Sequence, residues 1–207
     1  MIDFASFMVF VPTFFVVSIS PGMCMTLAMT MGMTVGIRKT LWMTVGELIG
    51  VGLVGLAAVI GVATMMLKYP AVFMVFKYVG GAYLFYVGVQ MWRSKGKMAV
   101  VEGEQAGLDK SGAEFALQGF VTAIANPKGW AFMVSLLPPF INPQLAMMPQ
   151  LTILLVTILV IEFMCLMIYA NGGKQLGKIL QKSNNVKMLN KISGTLMMFV
   201  GVWLALG

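Results

Sequence analysis

The sequence predicts an all-α, polytopic membrane protein with six transmembrane helices in one domain, residues 1–207. Hydrophobic residues make up 59% of the 207 residues, charged residues make up 10%, and the mean hydropathy is +0.91. A soluble domain carries about 25% charged residues, so this composition indicates a chain that is buried in lipid. The length allows about six helices of roughly 20 residues with short loops, which leaves no room for a separate soluble domain.

Six apolar segments follow one another along the chain, each long enough to cross a bilayer. The predicted spans are Phe4–Met31, Leu41–Met66, Ala71–Trp92, Phe115–Phe140, Leu151–Ala170 and Met188–Leu206. One long polar segment, from Arg93 to Glu114, separates the third span from the fourth. We therefore expect two three-helix halves, repeat one at 1–93 and repeat two at 115–207, joined by a cytoplasmic loop at 94–114.

The basic residues predict the orientation of the chain in the membrane. Eleven of the 14 Lys and Arg residues lie in the first, third and fifth loops, whereas only Lys68 and Lys77 lie on the opposite side. Cytoplasmic loops carry the excess of positive charge, so both termini are expected outside the cytoplasm. The net charge of +7 follows from this bias. No basic run interleaved with aromatic residues indicates nucleic-acid binding.

The two halves resemble each other in sequence. FVVSI-SPG at 15–22 matches FVTAIANPK at 120–128 with one gap, and GAYLFYVGV at 81–89 matches GTLMMFVGV at 194–202. The matches occur in the same order, first in spans one and four and then in spans three and six. Because each half has an odd number of spans, the second half must be inverted. Inverted repeats with interrupted helices at corresponding positions are typical of secondary transporters.

Prolines interrupt the first and fourth spans near their middles, at matched positions of the repeat. Ser20 before Pro21 and Asn126 before Pro127 are favoured N-cap residues, and proline is favoured at the first helical position. Each pair therefore predicts the start of a half-helix, whose partial positive charge and free N–H groups suit a carboxylate. The alternative is two ordinary proline kinks, which membrane helices tolerate. The predicted substrate-binding residues are Ser20, Pro21, Gly22, Asn126, Pro127 and Lys128.

Three ionisable groups lie inside the predicted spans: Glu47, Glu162 and Lys128. Such a group at the bilayer centre costs about 2.5–3.5 kcal/mol on insertion scales and indicates function. The second and fifth spans are repeat partners, so the two acids can face one cavity and either bind a substrate ammonium or carry a coupling proton. Three alternatives stay open: Glu47 at the cytoplasmic interface, Glu162 as a structural partner of Lys128, and Lys128 as the group that attracts a substrate carboxylate.

The residue types that most enzymes and metalloproteins need are scarce. The chain has no histidine, and Cys24 and Cys165 lie in separate apolar spans, so we expect no metal and no cofactor. A membrane enzyme would need a nucleophile–base pair, and none is evident. A channel or scaffold subunit stays an alternative to a transporter. Gly46 and Gly50 have the spacing that lets membrane helices approach closely, and such faces permit a homodimer.

At these residues the sequence resembles the LysE/RhtB family of amino-acid exporters, over essentially the whole chain. The resemblance lies in Ser20-Pro21-Gly22, in the acid after glycine at Gly46-Glu47, in KYVGGAYLFYVGVQMWR at 77–93, in NPKGWAFMVSLLPPFI at 126–141 and in LNKISGTLMMFVGVWLAL at 189–206.

The resemblance implies export of small amino acids or related metabolites from a bacterial cytoplasm through the inner membrane, driven by ion or proton exchange. The family often has Pro-Gly-Pro-Asn where this chain has Pro21-Gly22-Met23-Cys24. The missing asparagine favours a less polar substrate, and an exporter of a solute other than an amino acid is the alternative.

Overall fold

The structure is a computed structural model that describes residues 4–68, 70–93, 110–137, 140–142, 144–181 and 183–206. Every long element in these ranges is an α-helix, in agreement with the all-α prediction. The eight helices are α1 (Phe4–Ile19), α2 (Met23–Thr34), α3 (Ile37–Lys68), α4 (Pro70–Arg93), α5 (Gly112–Ala125), α6 (Pro127–Leu136), α7 (Met147–Gln181) and α8 (Ser183–Leu206).

Two helices in the described ranges are long and apolar enough to cross a membrane, in the segments Ile37–Gly61 of α3 and Met147–Gly173 of α7. A third span results if α1 and α2 are counted together, since the two helices are bent by 58° at a short break. Length and composition thus give two or three spans for this part of the chain. The six-span arrangement in two inverted repeats stays a prediction.

The predicted spans follow the order of the helices but differ at several boundaries. The first span is divided into α1 and α2, and the fourth is divided into α5 and α6, at the predicted prolines. The fifth predicted span, Leu151–Ala170, lies within the candidate span Met147–Gly173, and the helix that contains it, α7, continues to Gln181. Asn171 keeps its side chain on the helix by donating to the Met167 carbonyl (2.8 Å), and Gly173 packs against α2. The polar and small residues at this point therefore serve helix packing instead of ending the helix.

A capping box sets the start of α5 three residues before the predicted span. The Ser111 hydroxyl accepts from the Glu114 backbone N–H (3.3 Å), and the Glu114 carboxylate accepts from the Ser111 backbone N–H (2.6 Å). Each contact satisfies a backbone donor that the helix itself leaves free. The last residues of the predicted loop therefore belong to α5, while residues 94–109 of that loop lie outside the described residues.

Glycines bring the backbones of α3 and α5 into contact. A Cβ added to Gly46 would collide with the backbone of Ala116, and one added to Gly119 would collide with the backbone of α3. A Cβ on Gly50 would lie 2.7 Å from the Ala123 Cβ. These contacts confirm the prediction that Gly46 and Gly50 allow a close helix approach.

Two glycine pairs bring α4 against α8. A Cβ on Gly88 would lie 2.6 Å from the Gly194 carbonyl oxygen, and a Cβ on Gly201 would lie 2.6 Å from the Gly81 carbonyl oxygen. The two helices are therefore antiparallel at this crossing. In the sequence match between the halves, Gly81 aligns with Gly194 and Gly88 aligns with Gly201. When each glycine is replaced by its match in the other half, the Gly88–Gly194 contact therefore becomes the Gly201–Gly81 contact.

A tight turn at Gly36 joins α2 to α3. Its φ is 83°, its N–H donates to the Met31 carbonyl (3.1 Å), and its carbonyl accepts from the Thr40 hydroxyl (2.9 Å). A side chain in this left-handed conformation costs about 1–2 kcal/mol. We expect Gly36→Ala to lower the thermal midpoint of the detergent-solubilised protein by about 2–8 °C.

The matched control for this substitution is Gly61→Ala. Gly61 lies within α3, and among the described residues no atom outside its own stretch of helix lies within 4 Å of an added Cβ. In a helix interior alanine is favoured over glycine by about 1 kcal/mol, so this variant should keep or raise the midpoint. Equal midpoints for the two variants would contradict the assigned strain at Gly36.

Candidate functional site

The first interruption lies between α1 and α2, at residues 20–22. The Ser20 hydroxyl donates to the Val17 carbonyl at the end of α1 (2.6 Å). The N-cap of α2 is Gly22, with extended backbone and no side-chain cap hydrogen bond. The predictions that Ser20 caps α2 and that Pro21 is its first residue are therefore wrong, because the Ser20 hydroxyl bonds backwards to α1 and α2 begins at Met23. The first amides of α2 are left without a side-chain acceptor.

The second interruption lies between α5 and α6 and follows its prediction. Asn126 is the N-cap of α6, its side-chain oxygen accepts from the Lys128 backbone N–H (3.1 Å), and Pro127 is the first helical residue. The Asn126 amide nitrogen also donates to the Cys24 sulfur in the first turn of α2 (3.5 Å). The starts of the two half-helices therefore lie next to each other.

Lys128 joins the two interruptions. Its ammonium donates to the Val17 carbonyl (3.0 Å), to the Ser20 carbonyl (3.2 Å) and to the Ser20 hydroxyl. Its side chain lies against Gly22, where an added Cβ would be 3.6 Å from the ammonium nitrogen. The C-terminal end of a helix carries partial negative charge, so Lys128 stabilises the end of α1 at the point where α2 begins.

Tyr169 of α7 holds the same end of α1. Its side chain is 1% exposed, and its hydroxyl donates to the Ile19 carbonyl (2.8 Å). Loss of the donor to a buried acceptor costs about 1–3 kcal/mol. We expect Tyr169→Phe to lower the thermal midpoint in detergent, whereas Tyr78→Phe, on the exposed side of α4, should leave it unchanged. The same midpoint for both variants would mean that this contact does not support α1.

Glu162 lines the same cavity as Lys128. Its carboxylate accepts a hydrogen bond from the Ser18 hydroxyl of α1. Glu162 and Lys128 attract each other electrostatically, but the hydrogen bonds that the structure describes for the Lys128 ammonium go to Val17 of α1 and to Ser20 just after it. The structure therefore gives each of the two groups its own partner on α1, and both present charge to one cavity.

Glu47 is buried beside this cavity and is not part of its wall. Its side chain is 0% exposed, and among the residues described neither carboxylate oxygen has a hydrogen-bond partner. It interacts electrostatically with Cys24 and Glu162, both of which line the cavity. The alternative position at the cytoplasmic interface does not fit a side chain with no exposed surface. A buried acid without a structural partner is a functional candidate.

The cavity encloses an empty volume of about 560 Å³, which includes the open space at its mouth. It brings together most of the predicted site residues, while Pro21, Pro127 and Glu47 lie outside its wall. The predicted residues that line it are Ser20, Gly22, Asn126, Lys128 and Glu162.

Ser18 and Cys24 complete the polar part of the cavity, and sequence analysis missed both. Cys24 gives no sequence signal of its own, because a cysteine in an apolar segment commonly serves packing. Ser18 could have been found from the need of Glu162 for a donor, since charged groups in membrane helices pair with polar groups. In the part of the chain that the structure describes, no group of three or more His, Cys, Asp or Glu side chains could hold a metal ion.

Comparison with known proteins identifies the family. A family model described as LysE type translocator matches residues 15–207. A homoserine/homoserine lactone efflux protein of Salmonella typhimurium is 31% identical over 188 residues, which cover 91% of this chain and 90% of that protein. The protein of the same name from Salmonella typhi is also 31% identical over 188 residues. An uncharacterized membrane protein of Vibrio cholerae is 26% identical over 203 residues, 98% of both chains. No solved structure matches. The chain therefore belongs to the LysE type translocators, a family of membrane transporters and not of enzymes.

Proposed function

We propose that the protein exports amino acids or closely related small metabolites from the cytoplasm of a bacterium, across the inner membrane, by proton antiport. The observation that carries this proposal is that two interrupted helices meet at a cavity lined by one basic residue, Lys128, and one acidic residue, Glu162. The family supports a transporter, and the two relatives named as homoserine/homoserine lactone efflux proteins support an amino-acid-type substrate.

The cavity offers complementary groups for both charged ends of an amino acid. The substrate carboxylate would bind at the N-terminus of α2, whose first amides have no side-chain cap, and beside the Lys128 ammonium. The substrate ammonium would bind Glu162, which a single hydroxyl, that of Ser18, holds in place. A zwitterion thus fits this cavity better than an ion with one charge.

Binding at Lys128 would also change the contacts of α1. An ammonium has three donors, and Lys128 uses its ammonium on three oxygen atoms at the end of α1. A substrate carboxylate would compete with those oxygens, so substrate binding would loosen the end of α1. This exchange would couple occupancy of the cavity to movement of an interrupted helix.

Glu47 would carry the coupling proton. It lies beside the cavity, and within the described residues its carboxylate is buried against the Cys24 thiol and the Glu162 carboxylate without a well-formed hydrogen bond to either. Charge in the membrane interior is costly, so the protonation of Glu47 and the exposure of the site to either side of the membrane would change together. Proton release on one side and uptake on the other would then drive export.

The same proposal includes six spans in two inverted three-helix repeats, with both termini outside the cytoplasm. The reciprocal glycine contacts of α4 and α8 support the repeat, because each contact joins positions that the sequence match exchanges. Alternating access would come from one repeat rocking against the other around the cavity.

Everted membrane vesicles that contain the protein would test this function. A proton gradient is imposed, and accumulation of a labelled mixture of amino acids is followed with and without an uncoupler. We expect accumulation that the uncoupler abolishes and that vesicles without the protein do not show. A flux that ignores the gradient would favour a channel. Absence of any flux from folded protein would favour a scaffold or a solute other than an amino acid.

A further inference from the structure

The cavity has a polar end and an apolar end. On α1, Phe14 precedes Ser18 by four residues, and on α6, Phe132 follows Lys128 by four residues. All four line the cavity. Residues four apart share a helix face and lie about one turn, or 5.4 Å, apart along the axis. Each aromatic ring therefore lies one turn away from a polar group of its own helix, and the Phe132 ring stays within cation–π distance of that group, with the Lys128 ammonium 5.9 Å from its centroid.

The two rings lie at the same end of the cavity. Phe14 stacks on Phe10, with 5.7 Å between ring centroids, and Phe10 meets Phe140 edge to face at 5.0 Å. Phe10 belongs to the outer part of α1, and Phe140 follows the end of α6. The first half of α1 and the end of α6 therefore lie close together, at the same end of the cavity. Phe10, Phe14 and Phe140 are all buried and close this end with their rings.

α3 supplies the rest of the apolar wall. Val51 and Val54 follow Glu47 by about one and two turns, and both line the cavity. The neighbour of Val54, Gly55, lies against α6, because a Cβ on Gly55 would be 3.7 Å from the Met133 sulfur. Val54 is thus at the end where α6 carries its aromatic ring, and Val51 lies one turn nearer to the helix interruption, since its neighbour Gly50 packs against Ala123 of α5.

We infer that the substrates are amino acids with apolar side chains, such as leucine or methionine. This inference rests on the proposed function, in which the polar end of the cavity holds the ammonium and the carboxylate. The substrate side chain then points to the apolar end. The described residues that line that end are Phe14, Val51, Val54, Phe132 and Met133.

None of these lining side chains offers a hydrogen-bond partner to a substrate hydroxyl or a second ammonium. A hydroxyl that enters this end gives up its hydrogen bonds to water without replacement. Apolar pockets reject an added hydroxyl only moderately, by up to about 100-fold, so we expect homoserine to bind about 10–100-fold more weakly than methionine. A second charge, as in lysine, should be rejected more strongly.

Competition in proteoliposomes would test the substrate class. Vesicles loaded with unlabelled methionine take up labelled methionine by exchange, and leucine, homoserine and lysine are added outside as competitors. The reciprocal experiment uses labelled homoserine. We expect methionine and leucine to compete at concentrations about tenfold or more below that of homoserine. If homoserine or lysine competed as strongly as methionine, this inference would be overturned, but the proposed export function would stand. Exchange of no amino acid would overturn the proposed function itself.

A substitution in the apolar wall would test its role directly. Val54→Thr keeps the shape of the side chain and adds a hydroxyl, so it should raise the affinity for homoserine relative to methionine. Val51→Thr gives a second test if the first variant does not fold. The matched control is Val160→Thr on the exposed side of α7, which should keep the wild-type preference. A preference that neither wall variant changes would overturn the assignment of this end to the substrate side chain.

Discussion

Replacement of Glu47 by glutamine is expected to abolish gradient-driven accumulation of substrate in everted vesicles. Glutamine keeps nearly the same volume in a site that is 0% exposed, so packing changes little. It cannot carry a proton, and the proposed coupling would be lost. Exchange of labelled for unlabelled substrate needs no net proton movement and should continue. The expected pattern is therefore a loss of accumulation of at least tenfold with exchange retained.

Glu114→Gln is the matched control for this experiment. Glu114 is an exposed acid at the start of α5, and glutamine can also close the capping box that it forms with Ser111. This variant should accumulate substrate at the wild-type level. Full gradient-driven accumulation by the Glu47 variant would remove Glu47 from the coupling mechanism. Loss of both accumulation and exchange would indicate that Glu47 acts in substrate binding instead of proton coupling.

Alanine at Gly119 is expected to prevent α3 and α5 from packing. The added Cβ would meet backbone atoms of α3, and it would lie 3.0 Å from the Glu47 backbone nitrogen. A backbone cannot rotate away as a side chain can, so the helices must separate. Overpacking of this kind costs about 1–3 kcal/mol and sometimes more. We expect a large loss of monodisperse protein in detergent and a lower thermal midpoint.

Gly46→Ala tests the same contact from the other helix and should have the same effect, since its Cβ would collide with the backbone of α5. Gly61→Ala is again the control on α3, because its Cβ would meet nothing within 4 Å. Wild-type yield and midpoint for the Gly46 and Gly119 variants would contradict the close packing of the two backbones.

Local chemistry decided which parts of the site could be predicted. Asn126 before Pro127 has one strong local preference, the start of a helix, and the structure follows it. Ser20 before Pro21 has two, since its hydroxyl can cap the following helix or bond back to the preceding one. The choice depends on Lys128, which is 108 residues away in sequence and bonds the same hydroxyl. No local pattern contains that partner.

Hydropathy was enough to place Glu47 and Glu162 within apolar helices, and both are found near the helix interruptions. Which residues of one helix face reach the cavity could not be predicted in the same way. Glu47 precedes Val51 by four residues and Val54 by seven, so the three share one face of α3, yet of these three the two valines line the cavity and Glu47 does not. Their level along the helix decides this, and it follows from long-range contacts such as that of Gly119 with α3.

The paired glycines of α4 and α8 also show how the two matched segments of the sequence meet. When each glycine is replaced by its match in the other half, the Gly88–Gly194 contact becomes the Gly201–Gly81 contact. A surface of this kind is complementary to itself, as in an isologous dimer. The crossing of α4 and α8 therefore has the form of an isologous interface within a single chain.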